Sequence, residues 1–168
     1  MVLCPVAEGV VGPHRGDLDR AARAGVPAHV TVIYPFKPVD ALTAAEHRLL
    51  AGIATKHDVF TITGATTAWF DERVVFVEFA DPGPVLALIV AVVEAFPDYL
   101  PYAGAHETVL PHLTIGQDHE VTQMRAAEQA VRAGLPFAQP VQHLELWAGP
   151  ALASGQGPWR PVQRYPLG

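Results

Sequence analysis

A single cysteine, Cys4, stands in 168 residues, so no internal disulfide can form and a reducing cytoplasm is the expected setting. Its place in an apolar run predicts a buried strand residue rather than a reactive thiol. Basic residues are also scarce: 11 Lys and Arg stand against 17 Asp and Glu, a formal charge of −6. That balance excludes a protein that grips extended nucleic acid by neutralising many phosphates, while a small phosphorylated ligand stays open. No apolar stretch approaches the roughly 18–20 residues a membrane-spanning helix needs, so no membrane partner is expected. Met1 to Val11 lacks a basic start and is interrupted by Pro5 and Glu8, which makes it a poor export signal.

Half of the chain is apolar, enough to bury the core of one ordinary domain spanning residues 1–168. The 16 prolines and 14 glycines fall between periodic segments and read as turns rather than as a linker. Residues 2–6 read as a strand, and Asp17 to Ala24 as a short helix closed by Gly25. His29 to Tyr34 is a strand. A helix follows from about Thr43 to Thr55, with Leu42, Ala45, Leu49 and Ile53 as its apolar stripe. Val59–Thr63, Ala65–Phe70 and Arg73–Phe79 read as strands, the last two joined through Asp71-Glu72. Val85, Leu88, Ile89, Val92, Val93 and Phe96 recur at helical spacing between Pro84 and Pro97, a core helix. Then come a strand at His112–Gln117, a helix at about Thr122–Ala133, and strands at Gln142–Ala148 and Arg160–Tyr165. The order mixes α and β.

Within this pattern one short element repeats. His29-Val30-Thr31 and His112-Leu113-Thr114 each open a strand after a proline-marked turn and are each followed by a helix. They lie 83 residues apart, about half the chain. Eight histidines and ten threonines would supply about 0.5 His-x-Thr tripeptides by chance, and a third copy, His106-Glu107-Thr108, sits in a loop with a charge at its centre. The bare tripeptide is therefore cheap, and the strand context is what separates the other two.

Strand geometry gives the spacing its meaning. Residues i and i+2 share a face about 6.5–7 Å apart, so His29 and Thr31 point together while Val30 and Val32 enter the core. His112 and Thr114 repeat the arrangement. Histidine titrates near pH 6.5 and serves as base or acid, while a threonine hydroxyl donates to a phosphate oxygen. One such strand is commonplace structure; two in matched context suit opposite sides of one phosphorus. A zinc site fits poorly, since there is neither a Cys pair nor His-Glu-x-x-His, and threonine is not a usual ligand. A nucleophilic enzyme fits no better: Gly-x-Ser-x-Gly and Gly-x-x-x-x-Gly-Lys are both missing, which also disfavours an ATP-dependent ligase.

The segments Pro-Ala-His29-Val-Thr-Val-Ile-Tyr-Pro-Phe36 and Leu-Pro-His112-Leu-Thr-Ile-Gly116 resemble the two signature motifs of the 2H phosphoesterase superfamily, nearest its 2'-5' RNA ligase-like branch. The resemblance implies an α+β fold, bilobal with pseudo-two-fold symmetry, in which two mixed or antiparallel sheets flanked by helices surround a central groove. It further implies chemistry without a metal or other cofactor on 2',3'-cyclic phosphates, nucleotides or RNA ends. By motif position His29 and His112 would be the catalytic pair, with Thr31 and Thr114 binding the phosphate. Arg15, Tyr102 and Arg160 are candidate substrate contacts, each more commonly solvated or packed. The reading from another class is a noncatalytic module that holds phosphorylated nucleotides or a protein partner in the same groove.

Overall fold

A computed structural model describes residues 1–105, 108–151 and 157–168; His106 and Glu107 of the third tripeptide lie outside them. The chain begins with β1 (Val2–Leu3), α1 (Pro5–Leu18), α2 (Arg20–Arg23), β2 (His29–Val30) and α3 (Ala44–Ala54). It continues through β3 (Phe60–Phe70), β4 (Val74–Phe79), α4 (Gly83–Ala95), β5 (His112–Gln117) and α5 (Val121–Arg132), then β6 (Phe137–Val141), β7 (His143–Ala148) and β8 (Arg160–Pro166).

The strands form two curled antiparallel layers. One sheet has the order β5-β4-β3-β6. The other is assembled from the ladders β1–β2 and β7–β8, which are joined where Glu145 N–H donates to the Met1 carbonyl at 2.8 Å and the Met1 amino group to the Glu145 carbonyl at 2.9 Å. Helices α1 and α5 pack on the first sheet, while α3 packs on α4 and on β8 of the second. The first sheet is thus backed by α1 and α5 and the second by α3, on which α4 packs, the α+β plan that the resemblance implies. Strands β2 and β5 are sheet edges and lie against each other.

Local sequence explains most elements. Thr43 caps α3: its side chain accepts from Glu46 N–H while the Glu46 carboxylate accepts from Thr43 N–H, a closed capping box. Helix α4 buries Val85, Leu88, Ile89 and Val92. Thr67 of β3 donates to the buried carboxylate of Glu128 at 2.8 Å, and Arg132 reaches both, which pins α5 across the sheet.

Four expectations need correction. The segment read as a strand over residues 2–6 pairs only at Val2–Leu3, because Pro5 opens α1 at a position that needs no N–H. The helix expected over Asp17–Ala24 is broken at Asp19: α1 begins at Pro5, well ahead of Asp17, and ends at Leu18, and only Arg20–Arg23 form α2. Ala7, Val11, Arg15 and Leu18 make a buried stripe whose packing outweighs Gly9, Gly12, Gly16 and the interior Pro13. The strand expected over 29–34 ends at Val30, where the ladder with β1 stops and the chain bends at Val32 and again at Tyr34 and Pro35. The strands expected at 59–63 and 65–70 are one, β3, carrying a bulge between Gly64 and Thr66; a β-carbon on Gly64 would lie 2.5 Å from the Phe137 ring of β6, so any other residue there would force that ring to shift.

The remaining expectations hold closely. β5 spans His112–Gln117 as expected, Asp71-Glu72 turns the β3–β4 hairpin, and Cys4 is wholly buried directly after β1. Burial pushes the Cys4 thiol up to about 12, which makes it a poor nucleophile.

Candidate functional site

The two edge strands deliver their side chains into one groove. His29 and Thr31 line it from the β2 side, and His112 and Thr114 from β5. All four are half-buried, alternating with the buried Val30, Val32, Leu113 and Ile115. Thr31 keeps its alternation although it lies one residue past the β2 ladder.

The imidazoles are held alike. His29 Nδ1 lies 2.8 Å from the Pro27 carbonyl and His112 Nδ1 lies 2.7 Å from the Leu110 carbonyl, the same i−2 contact in each strand. A carbonyl can only accept, so each Nδ1 carries its hydrogen and Nε2 is left as the nitrogen that exchanges a proton.

Their surroundings differ. His112 sits among aromatic rings: Phe70 meets it edge-on at 5.0 Å, Phe76 lies at 5.1 Å, and Tyr102 stacks nearly parallel at 6.4 Å. Burial lowers its proton affinity and pushes the Tyr102 phenol up to about 12, so that hydroxyl stays neutral. Around His29 the neighbours are charged. Burial, with the Arg15 guanidinium adding to it, pushes the His29 imidazole down to about 4.

Of the sequence-derived substrate contacts, Tyr102 and Arg160 line the groove. Arg15 does not: it is buried beside Asp19, donating to its carboxylate at 2.6 Å and 3.1 Å, so it is corrected to a structural ion pair. Sequence reasoning missed Asp19, Phe70 and Gln117, all of which line the groove. Phe70 ends a strand that was anticipated, and its approach to His112 follows from the β3–β4–β5 order. Gln117 was hidden by a bulge. Between Phe76 and Val75 the partner residue steps from Thr114 to Gly116, so Ile115 and Gly116 are both buried and Gln117 returns to the groove side. Among the described residues no group of three or more His, Cys, Asp or Glu side chains could hold a metal ion.

Two sheets that meet edge to edge, each edge strand bearing the same His-apolar-Thr element, are the plan of a 2H phosphoesterase. In agreement, the family model described as 2'-5' RNA ligase superfamily matches residues 5–150, and the chain belongs to that superfamily. A comparison with curated proteins found no match. Membership supports a phosphoesterase-like or ligase-like function.

Proposed function

We propose that this protein opens 2',3'-cyclic phosphates, on nucleotides or RNA ends, by general acid and base catalysis between His29 and His112, without a metal. The observation that carries this reading is the identical carbonyl-fixed setting of the two imidazoles in one groove. A binding module would need hydrogen-bond donors there, but not two matched groups able to trade a proton.

In the hydrolytic direction, Nε2 of one histidine takes a proton from water as the water oxygen bonds to phosphorus. The bond from phosphorus to one ribose oxygen breaks, and Nε2–H of the other histidine supplies that oxygen's proton. The product is a phosphomonoester. Ligation is the same ring opening with a terminal hydroxyl in place of water: that oxygen bonds to phosphorus as its proton goes to the first histidine, the same ribose oxygen leaves, and the product is a phosphodiester. Hydroxyls of Thr31 and Thr114 donate to the non-bridging oxygens, where negative charge builds. The groove is open and extended along both edge strands, which leaves room for a nucleotide beside the phosphate.

The deciding experiment incubates the protein with nucleoside 2',3'-cyclic phosphates in EDTA, beside His29→Ala and His112→Ala. Wild-type turnover that falls by at least about a hundredfold in each variant is the expected outcome. Binding of the cyclic phosphate without turnover would overturn the catalytic reading in favour of the binding module.

A further inference from the structure

Asp19 is the break between α1 and α2, in extended backbone with φ −122° and ψ 123°. Its carboxylate is only 2% exposed yet lines the groove. Every side of it is engaged. Oδ2 accepts both Arg15 bonds from α1; Oδ1 accepts from Ala21 N–H at 2.9 Å, capping α2, and from the Gln117 amide of β5 at 3.4 Å. Arg15 in turn lies 3.6 Å from Glu8, and Glu8 accepts from Ala28 N–H, the residue before His29. One connected set of polar contacts therefore runs from the backbone that precedes the first motif to the end of the strand that carries the second.

We propose that Asp19 is a positioning residue shared by the two histidines, a single carboxylate through which α1, α2 and the end of β5 are held together at the groove. This rests on the catalytic reading of His29 and His112. A buried carboxylate is costly unless fully partnered, and capping a four-residue helix alone needs no burial or ion pair. The bulge that turns Gln117 toward Asp19 serves the same end.

Charge gives the arrangement a second effect. Asp19 favours the protonated form of both imidazoles. The other charged groups acting on His29 are Arg15 and the Met1 amino group, which oppose protonation. Glu8 partly offsets Arg15, and Glu145 lies beside the Met1 amino group. Facing His112 are the neutral rings of Phe70, Phe76 and Tyr102. Arg20, next to Asp19 in sequence, is paired with Asp118 at 3.0 Å. Removing the Asp19 charge thus makes both histidines harder to protonate.

The test is an NMR pH titration of the two histidine rings in the wild-type protein and in Asp19→Asn, Asp19→Glu and Gln117→Leu. It needs no substrate, so its failure is separate from failure of the catalytic reading, which the cyclic phosphate assay decides. In Asp19→Asn both midpoints are expected to fall by at least about half a pH unit, and Asp19→Glu restores them. Movement of neither ring, or of one alone, overturns the proposal. Gln117→Leu cuts the arm to β5 and leaves every charge in place. Its midpoints should stay at the wild-type values while affinity for inorganic phosphate drops at least about threefold. Unchanged phosphate affinity in that variant overturns the positioning role even where Asp19→Asn fails to fold.

Discussion

His29 and His112 bind their own strands in the same way, each through Nδ1 to the carbonyl two residues earlier, at 2.8 Å and 2.7 Å. The contact settles the tautomer of both rings before a ligand arrives. It also leaves them equivalent in geometry and unequal in environment, one beside an ion pair and one among aromatic rings.

That inequality has a kinetic signature. Both histidines hold their protons less tightly than the ordinary value of 6.5 in the free protein, His29 at about 4. In the proposed mechanism one ring must be neutral and the other protonated, so kcat/KM against pH should be bell-shaped with its maximum on the acid side of 6.5. A bound phosphate anion favours the protonated rings, so the kcat profile should sit at higher pH than the kcat/KM profile. Coincident profiles, or a maximum near pH 8, would contradict this.

Stability should follow the same groups. Between about 6.5 and 4 the unfolded chain binds a proton at His29 that the folded chain does not, so unfolding is favoured as pH falls through that window. The contribution is up to about 3 kcal/mol, present above 6.5 and lost progressively toward 4. Thermal melts across this range should show a shallower slope for His29→Gln than for the wild type.

Thr31→Val and Thr114→Val keep shape and remove one hydroxyl each. Each should lower kcat on a cyclic phosphate by about a hundredfold, the effect of deleting one preorganised donor. A change confined to KM would place the hydroxyls in ground-state binding instead.

Gly116 lets β5 settle on α1: a β-carbon there would meet Leu18 Cβ at 2.9 Å. Gly116→Val should cost about 1–3 kcal/mol of unfolding free energy, measured by urea titration, and should weaken the site as well because the bulge moves with it.

Cys4 offers a probe of the same core. Buried and pushed up to about 12, it should resist iodoacetamide in the folded protein at pH 8 and react once the chain is unfolded in urea. Rapid labelling of the native protein would mean that the N-terminal strand opens readily.

What the sequence made legible was whatever is local and periodic. β5 could be bounded at His112 and Gln117 by its alternation and turns, and α3 by Thr43 with its apolar stripe. The four motif residues were legible because the pattern repeats. Helix α1 was not, since three glycines and Pro13 mask a stripe that only contact with β5 and β6 rewards. β6 has no clear signal of its own: Pro140 stands within it, which a sheet edge tolerates but which weakens the strand pattern. Asp19 and Gln117 meet across 98 residues, through a bulge that reverses the side Gln117 would otherwise take, and no alternation rule anticipates that.

The join between β1 and β7 bears on how the molecule comes into being. The sheet of β3 to β6 closes within residues 60–141, largely through neighbouring strands, whereas Met1 must find Glu145 over a separation of 144 residues. Pairings of that reach are slow to nucleate. Pulsed amide exchange during refolding should therefore protect β3 and β4 before β1. His112 is in place early, and it waits for His29 until the two remote segments have met.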